Sequence, residues 1–124
     1  ADTDQMGMVY HSKYLEWFEC GRTELLREIG YPYSRLESEK IYLPVIEAMI
    51  KYRKPAQYDQ LITVVTHIKE IPKSKFKIDY KIYDNGKNVL LAEGYTVHSF
   101  INDSKKPTRV PQKFRNTIEK YFNK

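Results

Sequence analysis

With 124 residues, the chain has room for one domain with a hydrophobic core but little to spare for enclosing an active site. Its 21 basic and 16 acidic residues leave a formal charge of +5, which favours an acidic or phosphorylated ligand and would also fit weak nucleic-acid binding. The single cysteine, Cys20, excludes an internal disulfide and fits a reducing cytoplasm, while no apolar run has the length of a membrane span and no secretion signal is visible.

The chain opens with Asp2, Thr3, Asp4, Gly7, Tyr10 and His11 and runs straight into a helical pattern over residues 12–29. At about 100° per residue, Tyr14, Leu15, Trp17, Phe18, Gly21, Leu25, Leu26 and Ile29 fall on one half of that helix. Ser12 is the expected N-cap and Gly30 the expected C-cap, with Pro32 soon after. Arg22 lies inside the apolar half, where a charge needs a partner; a carboxylate across an interface is one candidate. A short helical or irregular stretch is expected around residues 33–39. The period then changes to two. Ile46, Ala48, Ile50 and Tyr52 alternate with Glu47, Met49 and Lys51, residues 61–69 form a β-branched run, and Phe76, Ile78, Tyr80 and Ile82 alternate with Lys77, Asp79, Lys81 and Tyr83. Asp84-Asn85-Gly86 predicts a hairpin turn into a long strand over 89–101, with Gly94 as a bulge or bend. A terminal helix is expected at 112–122, after Pro111. One long helix and four antiparallel strands make an α+β domain whose sheet can wrap around the helix.

The chemistry concentrates at the start of the chain. A helix N-terminus has unpaired backbone N–H groups and partial positive charge, so it can stabilise a developing oxyanion. Asp4 stands a few residues ahead, and an aspartate can activate water or attack a carbonyl directly. By local sequence alone it can equally cap a turn, because aspartate before a glycine commonly does. Gly7 would let the backbone pass close to a substrate, and Tyr10 and His11 sit where the helix begins. Asp2 and Asp4 form an Asp-x-Asp pair, but without a nearby set of His or Glu ligands no metal is expected. His67 and His98 fall in strands with no Ser or Cys nucleophile motif, and there is no G-x-S-x-G elbow. Cys20, Glu16 and Glu19 belong to the polar side of the helix, and Asp59 is expected to shape the turn before the second strand. Candidate phosphate ligands are Lys73 and Ser74 at a strand start, and the cluster of Lys105, Lys106 and Arg109. Eleven tyrosines suit pocket walls and subunit contacts as well as sheet surfaces.

The order Asp-Thr-Asp-x-x-Gly-x-Val-Tyr-His, followed by Tyr14-Leu15-Glu16-Trp17-Phe18-Glu19 and Arg22, resembles the hotdog-fold acyl-CoA thioesterases of the 4-hydroxybenzoyl-CoA thioesterase type, in particular the small branch associated with the Tol–Pal system. Leu43-Pro44-Val45, Tyr52-Arg53-Lys54-Pro55-Ala56-Gln57-Tyr58-Asp59 and Lys106-Pro107-Thr108-Arg109-Val110-Pro111 extend the resemblance along the chain. It implies a hotdog fold, an antiparallel sheet wrapped around one long helix, and hydrolysis of an acyl-CoA to free acid and CoA. It places the catalytic carboxylate at Asp4 and the polarising backbone N–H at about His11. The late basic segment would lie near the nucleotide part of CoA, with no cofactor beyond that substrate. It also implies a homo-oligomer, a dimer often paired into a tetramer. Such proteins carry a short strand ahead of the aspartate motif, which this sequence lacks, so a truncated or partly disordered N-terminus is expected. An acyl carrier protein thioester is the alternative substrate, and a catalytically silent acyl-binding module the alternative class. Nucleic-acid binding ranks below both, because the basic residues show no clustered motif with interleaved aromatics.

Overall fold

The apolar stripe near the start of the chain becomes α1 (His11–Glu28), so Ser12 lies within the helix instead of capping it. The computed structural model describes residues 11–56, 61–86 and 88–122, with 11 and 12 described by backbone alone. Tyr14, Phe18, Leu25 and Leu26 of α1 are buried, whereas Glu16, Glu19, Cys20 and Glu24 are exposed. The helix ends at Gly30, whose φ of 87° lies in the left-handed region that glycine tolerates. There the Gly30 N–H donates to the Arg27 carbonyl at 3.1 Å and the Tyr31 N–H to the Leu26 carbonyl at 2.9 Å. This pair of bonds satisfies two carbonyls that a helix end leaves open and drives Tyr31 into the core. After Pro32, α2 (Tyr33–Ser38) contributes the buried Leu36.

Four strands follow: β1 (Val45–Tyr52), β2 (Ile62–His67), β3 (Lys75–Asp84) and β4 (Leu90–Ser99). They form one antiparallel sheet in the order β1-β4-β3-β2. The two-residue period decides which face meets α1. Phe76, Ile78, Tyr80 and Ile82 of β3 are buried, while Lys77 and Lys81 are exposed on the opposite face. Phe18 stacks on Tyr80 with ring centroids 4.2 Å apart and planes within 8° of parallel, which seats the helix on the sheet.

Gly94 is not a bulge. It pairs in unbroken register with Ile50 on one side and Tyr80 on the other, and the register shifts fall instead at Val45/Glu47 and Ile82/Tyr83. A Cβ at position 94 would stand 1.9 Å from the Met49 carbonyl oxygen, so it is the close approach of β1 that requires glycine. The turn after β3 is wider than a two-residue hairpin. The Asp84 N–H donates to the Val89 carbonyl at 3.0 Å, and its carboxylate accepts the N–H groups of Asn88 and Val89 at 2.8 and 3.2 Å.

α3 (Gln112–Phe122) closes one end of the core. Phe114 makes edge-on contacts with Tyr31, Phe76 and Phe100 at centroid distances of 5.1, 5.4 and 5.9 Å. At the other side of the sheet β1 has one unpaired edge among the described residues, and Val45, Ile46 and Tyr52 are about half exposed.

Candidate functional site

Asp2, Asp4, Gly7, Tyr10 and Asp59 lie outside the described residues. His11 is the first residue of α1 and its backbone stands at the helix start. The first turn of any α-helix has N–H groups without intrahelical partners. Beside those opening turns the structure builds an aromatic wall. The buried Tyr14 ring meets Trp17 edge-on at 5.0 Å and Tyr52, at the end of β1, edge-on at 4.9 Å. Burial pushes the Tyr14 hydroxyl above its ordinary pKa, and a backbone hydrogen bond with Ala56 partly offsets this. The i, i+3 spacing of Tyr14 and Trp17 is visible in the sequence, but their meeting with Tyr52 depends on where β1 ends.

The second feature is a cleft of about 420 Å³ between the β2–β3 connection and the start of α3. Lys73, Ser74, Thr108, Arg109, Val110, Gln112 and Arg115 line it. Three sequence candidates, Lys73, Ser74 and Arg109, thus converge from two loops. Lys105 and Lys106 do not line this cleft. They are exposed on a tight turn in which the Asn102 side chain accepts the N–H groups of Ser104 and Lys106 at 2.9 and 3.1 Å, and Lys105 takes a φ of 61°. Arg115 is absent from the sequence reading, and Thr108 enters it only within the segment of residues 106–111, with no role of its own. The signal for Arg115 was its i, i+3 spacing from Gln112 on α3, which gains meaning only once α3 is docked.

A third feature is a chain of buried polar side chains between α1 and the sheet. The Tyr80 hydroxyl lies 2.9 Å from Thr96 Oγ1, Thr96 Oγ1 lies 2.9 Å from His98 Nε2, and His98 Nδ1 lies 3.0 Å from the Leu43 carbonyl oxygen. Burial holds the His98 pKa down to about 4, with the Arg22 charge adding to the shift, so the ring is neutral near pH 7. A carbonyl only accepts, so Nδ1 carries the proton and Nε2 accepts from Thr96. Thr96 therefore accepts from Tyr80, whose own hydroxyl burial pushes up to about 12. Every donor in this line of side chains has one acceptor. Its role is to satisfy a polar core. Arg22 has its guanidinium carbon 5.2 Å from the Tyr33 ring centroid, and its buried Nε has no hydrogen-bond partner among the described residues. Its contact is thus an aromatic face, and no carboxylate among the described residues pairs with it.

A long helix lying on a curled antiparallel sheet, with an aromatic wall at the helix start and a basic cleft by the terminal helix, defines a hotdog-fold domain. The thioesterase-like superfamily model matches residues 1–118, and the chain belongs to that family of thioester hydrolases. It is 42% identical over 84 residues to YneP of Bacillus subtilis, covering 68% of this chain and 61% of YneP. It is 30% identical over 112 residues to the acyl-CoA thioester hydrolase YbgC of Escherichia coli, covering 90% of this chain and 83% of that protein. The crystal structure of the DHNA-CoA thioesterase of Staphylococcus aureus superposes with a TM-score of 0.87 at 29% identity, over 98% of this chain and 82% of that one.

Proposed function

We propose that this protein hydrolyses the thioester of an acyl-CoA to a carboxylic acid and CoA. Membership of the thioesterase-like superfamily over residues 1–118 carries this reading, and the helix N-terminus at His11 supports it. Asp4 is the catalytic carboxylate. As a base, it takes a proton from water while the water oxygen attacks the thioester carbonyl carbon. The resulting oxyanion is held by backbone N–H groups around His11, at the positive end of α1. Collapse breaks the C–S bond, and the proton passes to the departing thiolate. As a nucleophile, Asp4 would instead form a mixed anhydride that water then opens. Gly7 and Tyr10 belong with Asp4 and His11 to the catalytic motif. Lys73, Ser74 and Arg109 face the phosphates of CoA, with Lys105 and Lys106 adding longer-range attraction. No metal or other cofactor takes part.

The acyl group contacts the wall of Tyr14, Trp17 and Tyr52, which a second subunit completes. Two copies pair along the exposed edge of β1, where an eight-residue strand presents half-exposed Val45, Ile46 and Tyr52. The working assembly is a dimer or a pair of dimers. The single unpaired cysteine, Cys20, suits the cytoplasm. An acyl carrier protein thioester is the second substrate reading, favoured by Lys75 and Lys77, which extend the basic surface past the cleft.

Free-thiol release from short-chain, long-chain and aromatic acyl-CoAs tests the reading. Asp4→Asn should lower kcat by about 10²–10⁴-fold, as loss of a positioned acid or base does. Undiminished turnover in that variant would remove Asp4 from the mechanism.

A further inference from the structure

The face of the sheet turned away from α1 carries a cavity of about 500 Å³, a size within the range of small-molecule sites. Residues i and i+2 of a strand point the same way, so β3 presents Asp79 and Lys81 there, about 7 Å apart along the strand. In register, Asp79 stands between Tyr95 of β4 and His67 of β2, and Lys81 stands between Glu93 and Val65. The charges on this face do not cancel. Arg53 takes the Glu93 carboxylate at 2.8 Å, and Lys51 and Lys81 line the cavity with no carboxylate partner among the described residues. Lys69 comes within 3.7 Å of Asp79 Oδ1, but its side chain is 68% exposed, so this pair is weak. The other oxygen, Asp79 Oδ2, is buried and has no hydrogen-bond partner among the described residues. A carboxylate oxygen only accepts, so this one calls for a donor. Tyr83 and Tyr95 flank the cavity. Tyr95 is fixed in place, because its hydroxyl donates to Glu47 at 2.5 Å and Lys77 Nζ lies 4.3 Å from its ring centroid.

We propose that this cavity binds a hydroxy-substituted aromatic carboxylate. Each part of such a ligand answers one feature of the site. The hydroxyl donates to Asp79 Oδ2, the carboxylate meets Lys81 and Lys51, and the ring lies between Tyr83 and Tyr95 against Met49 and Val65. One ring with groups at opposite ends matches the two-residue step from Asp79 to Lys81. Lys51, Lys69 and Lys81, set against Asp79 and the already paired Glu93, favour a ligand of net negative charge over a zwitterion. The sheet separates this site from the wall of Tyr14, Trp17 and Tyr52. Tyr80 points inward to stack on Phe18, while its neighbours Asp79 and Lys81 face outward. An acid bound here therefore leaves the aromatic wall open to substrate. Two sources share this chemistry: the acid released by thioester hydrolysis, which rests on the acyl-CoA reading above, and an acid taken up free from solution.

The test is calorimetric titration of the full chain with 4-hydroxybenzoate and with benzoate, for wild type, Asp79→Ala, Lys81→Met and Asp4→Asn. Circular dichroism and thermal melts establish that each variant is folded. Wild type should bind 4-hydroxybenzoate about tenfold or more tightly than benzoate, the size of one hydrogen bond to a charged group. Asp79→Ala should erase that difference, Lys81→Met should weaken both acids, and Asp4→Asn should change neither. The two acids binding equally to wild type, or binding that survives both Asp79→Ala and Lys81→Met, overturns the site. No acid bound, with a mass by light scattering that falls in Asp79→Ala, also overturns it and gives this face to a second copy of the chain. The source is read from turnover of 4-hydroxybenzoyl-CoA. Product inhibition that added substrate does not relieve, and that Asp79→Ala removes, upholds the site with the released acid as its ligand. Binding that follows the predicted variant pattern in a protein that hydrolyses no thioester upholds the site with a free acid as its ligand, and removes only the esterase reading.

Discussion

At the residue scale, the buried chain from Tyr80 through Thr96 to His98 shows how a polar core is kept satisfied. The His98 pKa is lowered from 6.5 to about 4, so the unfolded chain takes up a proton before the native one does as pH falls. The stability owed to neutral His98 is therefore complete above pH 6.5 and is lost progressively between pH 6.5 and 4, by about 3 kcal/mol in all. Urea unfolding at pH 7.5 and 4.5 measures this, and the drop should be smaller in His98→Gln, which does not titrate. Thr96→Ala should cost about 1–3 kcal/mol at neutral pH, because it strands both His98 Nε2 and the Tyr80 hydroxyl in the core. An unchanged urea midpoint in Thr96→Ala would mean the chain is not a satisfied network.

At the scale of elements, the sheet depends on one narrow crossing. β1 approaches β4 so closely at Gly94 that any side chain there would meet the Met49 carbonyl oxygen, a backbone atom that cannot step aside without moving the strand. Gly94→Ala should destabilise the fold by roughly 3 kcal/mol or more, read from urea or thermal unfolding. A variant as stable as wild type would contradict the pairing of Ile50 with Gly94. Period-two alternation made β1 and β3 legible from the sequence, β4 was legible as the strand after the Asp84-Asn85-Gly86 turn, α1 from its apolar stripe and α3 from its place after Pro111. The reason for Gly94 was not legible, since a glycine in a strand pattern reads the same for a bulge and for a close neighbour. The turn after β3 is another such case: Asp84-Asn85-Gly86 has turn chemistry, but its width follows from Asp84 capping Asn88 and Val89.

At the scale of the whole molecule, β1 is the exposed element that matters most. An eight-residue edge with half-exposed Val45, Ile46 and Tyr52 invites pairing with another chain, and soluble proteins normally protect such an edge. Pairing of two copies there predicts that Ile46→Lys halves the mass measured by light scattering, while far-ultraviolet circular dichroism is retained. Mass unchanged in a folded variant would move the subunit contact to another surface. The same edge brings Tyr52 against Tyr14, which in turn meets Trp17, so loss of pairing should also raise KM for acyl-CoA.

By itself, the sequence determined the α+β class, the positions of the long helix and the strands, and the thioesterase family, because periodicity and motif order are local properties of the chain. It also marked Lys73, Ser74 and Arg109 as basic or polar loop residues worth attention. Only the tertiary structure decided that these three share one cleft with Arg115, that Lys105 and Lys106 stand apart from it, and that Tyr80, Thr96 and His98 form one hydrogen-bonded line. Each of these is a meeting of residues distant in the chain, and side-chain identity says nothing of distance until the sheet register and the docking of α1 and α3 bring the residues together.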